Sequence, residues 1–241
     1  MSIFEMSVRG LLLRRRTAAL ALLPVVIGVL AIALLRLANK EEYSDAYGTM
    51  SGNLFVTIVV GIVGLVIGGN AFADEREGGT LRLLLTTATP RWRIVLSKLA
   101  AASLSTWLVC LPAVIGCAVL GASADGLPTG KTVGSLLLAS VLVAVAYCGL
   151  FGALSLVSTH GLLIGLTYIV VWEGAIAGFT KALRGLSVGA YGRRLVGEPF
   201  GALRPFETAD TGFAAAGIVL AVVCLAGFAF AAWRLPRMDV A

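Results

Sequence analysis

The chain has 241 residues, 59% hydrophobic and 13% charged, with a formal net charge of +6 and a mean hydropathy of +0.95. Soluble domains carry about 45–50% apolar and about 25% charged residues, so this composition excludes a disordered tail, a disulfide-stapled secreted domain and a cytosolic enzyme. It directs the chain to the bilayer, and the length leaves no room for an ATPase or kinase domain beside a membrane bundle.

Taken in chain order, Ser2 and Glu5 have capping-box spacing. Phe4, Val8, Leu11 and Leu12 then share one helical face, while Arg9 and Arg14–Arg16 are cationic. This pattern predicts a helix over 1–16 lying in the membrane interface. Arg14–Arg16 followed by an apolar run and Ala31-Ile32-Ala33 imitates a signal peptide. The run is longer than a signal core and continues past that site, so it reads as an uncleaved first span.

A membrane-crossing helix needs about 20 mostly apolar residues. Six segments qualify: Thr17–Leu35, Leu54–Ala73, Leu99–Leu120, Val133–Val157, Gly161–Thr180 and Phe213–Trp233. No short alternating strands of the kind a membrane β-barrel needs are present. The fold class is therefore an all-α integral membrane protein with six transmembrane helices. Gly64/Gly68, Gly161/Gly165 and Gly174/Gly178 have GxxxG spacing, a weak packing hint in a chain with 29 glycines. Six spans put both termini on one side. With the termini in the cytoplasm, that side holds the larger share of the 19 Lys and Arg residues, including Arg14–Arg16 against the first span. The positive charge then reflects topology and anionic lipid headgroups and requires no nucleic acid.

Few residues offer chemistry. Cys110, Cys117, Cys148 and Cys224 all fall inside spans and form no CxxC, so they read as small apolar residues. His160 is the single histidine. It sits between the fourth and fifth spans, where a polar cap is expected rather than a metal or triad member. Gly126–Thr132 imitates a phosphate loop but has three residues rather than four between its glycines and no preceding strand. Glu173 is different, because a carboxylate inside a span is expensive and marks a functional-site candidate. At about 1.5 Å per residue it lies roughly 18 Å into the fifth span. Two readings stay open for Glu173 and the adjacent Trp172: an element of a translocation pathway or gate, or a buried structural acid bonded to Trp172, a neighbouring helix or a partner subunit.

The most informative stretch lies between spans two and three, over 74–93. The span ends in Asp74-Glu75-Arg76-Glu77, and Gly78-Gly79 breaks the helix. Thr80 can cap a new short helix crowded with Leu81, Leu83, Leu84 and Leu85, and Pro90 suits the first turn of the next. The result is a short leucine-rich helix on the cytosolic face, sunk into headgroups or docked on a partner.

Here the sequence resembles the ABC-2-type ABC transporter permeases, whose connection reads E-R-E-x-G-T-L-x-x-L-L, then P-x-x-R, then a lysine opening span three. Glu75, Arg76, Glu77, Gly79, Thr80, Leu81, Leu84, Leu85, Pro90, Arg93 and Lys98 match that pattern. Trp172-Glu173-Gly174 followed by Leu186-Ser187 also resembles a subgroup of these permeases.

The resemblance implies a single transmembrane domain over 1–241 with an outer segment, 181–212, before the last span. It implies that 74–93 contains the coupling helix, which fits a groove on a separate ABC ATPase subunit. ATP and Mg would be bound by that ATPase, with no cofactor and no metal in this chain. Other implied partners are a second copy or a homologous permease, and membrane lipids. The expected location is the inner or plasma membrane of a bacterium or archaeon, and the activity is transport, with export favoured. Two alternatives remain at this level: a membrane-embedded lipid-processing enzyme using Glu173 and His160, and a non-transporting assembly or sensor subunit.

Overall fold

A computed structural model describes residues 15–37, 47–77, 90–122, 129–158, 160–176, 184–197 and 211–234. Seven helical elements are found among them. α1 is Arg15–Leu37. α2 begins as a π-helical stretch, Gly48–Val59, and runs on as the α-helix Val60–Glu77. α3 is Arg91–Ala122 and α4 is Thr129–Val157. α5 starts as Gly161–Thr167 and continues in π-helical hydrogen bonding over Tyr168–Ile176. α6 is Val188–Val196 and α7 is Phe213–Arg234. The described residues contain no strand.

Four helices contain stretches long and apolar enough to cross a membrane: Met50–Phe72, Trp92–Ala122, Gly130–Val157 and Phe213–Arg234. Shorter apolar stretches, Ala19–Leu34 and Gly161–Gly174, stand where the first and fifth spans are expected. The interfacial helix expected over 1–16 lies outside the described residues, except for Arg15 and Arg16 at the start of α1.

α4 is the hub of the bundle. It packs against α2, α3, α5, α6 and α7, whereas α1 leans mainly on α3. Small residues make these approaches possible, as membrane helices require when lipid competes for the same apolar contacts. A Cβ added at Gly68 would lie 2.8 Å from the Cys148 Cα and one at Gly64 3.1 Å from the Tyr147 Cβ, so both glycines of the Gly64/Gly68 pair face the crossing of α2 and α4. Gly149 and Gly227 do the same for α4 and α7, where a Cβ at Gly227 would meet the Gly149 carbonyl carbon at 2.7 Å. Gly174, by contrast, is exposed and makes no such approach.

Polar residues tie the same helices together. The Trp107 indole donates to Ser140 Oγ (3.1 Å) across α3 and α4, and Thr106 Oγ1 lies 3.2 Å from Cys148 Sγ. Leu22, Val26 and Val29 on α1, Leu163 and Val170 on α5, and Ile218, Val222 and Leu225 on α7 point outward. Such apolar exteriors are the face that hydrocarbon solvates.

Candidate functional site

The two ends of the bundle carry different polar constructions. At one end α2 finishes and α3 begins, and these helices flank the loop predicted to contact a partner. Glu75, Arg76 and Glu77 form the last turn of α2. Gly79, Thr80, Leu81, Leu84 and Leu85 lie outside the described residues. Pro90 stands immediately before α3, and its carbonyl accepts from the Arg93 N–H at 2.9 Å. Proline suits this place because its missing donor is one that a helix start leaves unbonded. Trp92 and Arg93 are exposed, with the Arg93 guanidinium 5.4 Å from the Trp92 ring centroid.

One turn further along α3, Lys98 turns inward and is 5% exposed. Its ammonium donates to the Ala71 carbonyl of α2 at 3.2 Å and lies 5.4 Å from the Phe72 ring centroid. Lys98 thereby joins α2 and α3, the two helices that flank the loop, through a charged hydrogen bond among buried groups.

The opposite end contains Glu173. It occupies the π-helical part of α5 and is 4% exposed. Its Oε1 accepts from the Tyr168 hydroxyl (3.0 Å) and the Gly189 N–H (3.2 Å), and its Oε2 accepts from the Ser187 hydroxyl. Ser187 is the N-cap of α6, its Oγ also accepting from the Ala190 N–H at 2.9 Å. The carboxylate therefore sits at the positive end of a short helix, where unbonded N–H groups and the helix dipole favour an anion. Trp172 makes none of these bonds; it is half-buried, and its indole Nε1 is buried with no hydrogen-bond partner among the described residues.

α6 itself is almost wholly inside. Val188 through Arg193, Leu195 and Val196 are buried, against the π-helical stretch of α2, against α4 and against α7. Gly189 allows the close approach: a Cβ there would lie 2.8 Å from Glu173 Oε2 and 2.9 Å from Thr57 Oγ1. Arg193, 5% exposed, donates through Nη1 to Thr57 Oγ1 at 2.6 Å, and that hydroxyl donates in turn to the Gly52 carbonyl at 3.1 Å. Arg194 ties the other side of α6 to the start of α7 through the Thr211 carbonyl (2.7 Å).

Of the expected site residues, the structure places Pro90 and Arg93 at the head of α3, with Glu75–Glu77 at the foot of α2 across from them. It sets Glu173 far from that end. Lys98, Thr57, Tyr168, Ser187, Gly189 and Arg193 are the polar residues that the sequence reading left without a site role. A serine cap three residues ahead of a bonded N–H was the available signal for Ser187. His160 is exposed at the N-cap position of α5, but its side chain makes no cap bond; its backbone N–H instead donates to Ser158 Oγ at 3.1 Å. It begins the helix in which Glu173 lies about 20 Å further on, so the acid–base pair of a lipid enzyme is not assembled.

A multi-pass helical membrane protein with charged residues at the two ends of its bundle is the class these features define. The family model described as ABC-2 family transporter protein matches residues 3–240, and the chain belongs to that family. Proteins of this family are membrane permease components of ABC transporters, which in general work with ABC ATPase subunits. No curated protein matches the chain.

Proposed function

We propose that this chain is the membrane subunit of an ATP-driven exporter. In this reading it crosses the membrane six times, with both termini in the cytoplasm of a bacterium or archaeon. Two copies, or one copy and a homologous permease, form the pathway. Separate ABC ATPase chains bind ATP and Mg and engage 74–93 from the cytosol, with Glu75, Arg76, Glu77, Gly79, Thr80, Leu81, Leu84, Leu85, Pro90 and Arg93 as the coupling surface. Glu173, with Trp172 beside it, belongs to the gate at the other end.

The observation that carries the reading is the Lys98–Ala71 bond, set beside family membership. A coupling segment must pass force to spans without slack, and a loop whose two flanking helices are bonded together meets that need. Closure of the ATPases then pushes on a braced elbow, and the displacement goes into α2 and α3 together.

The test is Glu75→Ala combined with Glu77→Ala in the full chain, co-expressed with the ATPase encoded beside it. The expected result is normal membrane insertion, with ATP hydrolysis uncoupled from transport and transport falling about tenfold or more. That magnitude corresponds to the loss of about 1.4 kcal/mol of coupling. Unchanged transport, or failure of the chain to co-purify with any neighbouring ATPase, overturns the proposal.

A further inference from the structure

We infer that α6 is a removable wedge in one end of the bundle and that Glu173 is the latch that holds it there. The role of that wedge in a transport cycle rests on the reading given above; the latch itself does not.

α6 is an unusual thing to find inside a helical bundle. It has nine residues, too short for stable helix on its own in water, and it carries Arg193 and Arg194. Its place therefore depends on what surrounds it. Apolar contact comes from Val188, Leu195 and Val196, all buried. Polar contacts hold it in three places, one of them the bond from Arg194 to the Thr211 carbonyl. At its N-terminus the Glu173 carboxylate takes the Gly189 N–H and the Ser187 hydroxyl. On its flank Arg193 reaches Thr57 on α2.

The wedge stands between the π-helical start of α2 and α4, which cross directly further along. Gly192 is in direct contact with both, since a Cβ there would crowd the Val56 side chain of α2 and lie 2.7 Å from the Val143 side chain of α4. Gly189 is likewise pressed between Glu173 of α5 and Thr57 of α2. Both glycines leave no spare room, so α6 cannot slide within its slot while α2, α4 and α5 keep their spacing. Either it stays or it leaves.

What decides between those states is a carboxylate on a π-helical turn. The Tyr168 hydroxyl reaches the Glu173 carboxylate, five residues on, within this π-helical stretch. π-Helix is rare and often occurs at functional sites, and here it runs for nine residues. Returning this stretch to α-helical spacing rotates position 173 relative to Tyr168 and withdraws the carboxylate from Ser187 and Gly189. With the acceptor gone, two buried donors at the start of α6 have no partner, a costly condition that favours their exposure to water. The latch is thus closed by three donors on one carboxylate and opened by a change of register in α5.

The test uses the full chain in lipid nanodiscs, with Cys110, Cys117, Cys148 and Cys224 replaced by Ala and a single cysteine introduced by Val188→Cys. The probe is a water-soluble maleimide. In the parent, labelling is slow because position 188 is buried. Glu173→Ala is expected to raise the labelling rate about tenfold or more, the factor that loss of one charge-assisted hydrogen bond gives to an opening equilibrium. Glu173→Gln, which retains an acceptor oxygen, is expected to stay within about threefold of the parent.

A control cysteine at fully buried Ala146 of α4 separates opening of the wedge from general loosening. Its labelling must not rise in Glu173→Ala. Labelling at 188 that stays within about twofold of the parent in Glu173→Ala overturns the inference. So does a parallel rise at 188 and 146. Neither result depends on an ATPase being present, so failure of the latch and failure of the exporter reading are distinguished.

Discussion

The two ends of this bundle each bury a charge, and they neutralise it in opposite ways. Lys98 is set between two long helices and held by a backbone carbonyl of α2 and the face of Phe72. Glu173 is set against a short helix and held by two hydroxyls and a backbone N–H. The anion is placed at a helix N-terminus, the end whose dipole suits it. The first arrangement joins elements that are secured elsewhere by long apolar contacts, so it is a brace. The second supplies much of the polar anchorage of α6, so it governs whether that helix remains in place. A buried charge therefore does different work according to the size of the element it touches.

Three substitutions sharpen this contrast. The largest effect is expected from Glu173→Ala, which leaves the Gly189 N–H and the Ser187 and Tyr168 hydroxyls without their common acceptor. Destabilisation of about 3 kcal/mol is expected. It is read as a lower midpoint of thermal unfolding in detergent, with a thiol-reactive dye reporting exposure of the buried cysteines. A midpoint unchanged within error would mean that α6 is held by apolar contact alone.

Lys98→Met comes next, keeping the length of the side chain while removing its bond to Ala71. The expected cost to unfolding is about 1–2 kcal/mol. The diagnostic readout is ATP hydrolysis by the complex, which should lose its dependence on the permease while the Val188→Cys label stays protected. If the label becomes accessible, the two ends are not separable in the way described. Tyr168→Phe removes one donor of three and should cost about 0.6 kcal/mol, with a rise in Val188→Cys labelling smaller than that of Glu173→Ala. An effect equal to Glu173→Ala would place the whole latch on the tyrosine.

Much of this architecture was legible in the sequence, because apolar runs long enough for a membrane leave little choice of structure. All six expected segments contain helix, and α1, α2, α3, α4 and α7 extend beyond the hydropathy limits, while the described part of α5 stops at Ile176. α3 starts at Arg91 rather than Leu99, since Arg91, Arg93 and Lys98 lower hydropathy without opposing helix, and Pro90 marks the true start. Glu173 was visible as an acid among apolar neighbours. Its partners were not, because Ser187 and Gly189 lie 14 and 16 residues away, across a change of direction. The burial of α6 was hidden for a related reason. Arg193 and Arg194 give it the look of a surface segment, and the group that receives Arg193 is Thr57, 136 residues earlier. The π-helical stretches leave no sequence mark of their own, as their hydrogen-bond spacing is set by what packs on them.

The length of α3 has a mechanical consequence. Its 32 residues make a rod about 48 Å long, well over the roughly 30 Å of hydrocarbon it crosses. Lys98 pins it near one end, and about 36 Å of rod extends from there to Ala122. A tilt of about 10° around that pin would carry the far end sideways by about 6 Å, more than one helical turn's pitch. That far end is where Gly121 abuts the ring of Tyr47, so close that an added Cβ would lie 2.7 Å from it, and Tyr47 opens the π-helical stretch on which α6 rests. If the coupling proposed above holds, a small angular stroke at the Lys98 end would become a larger lateral one beside the wedge.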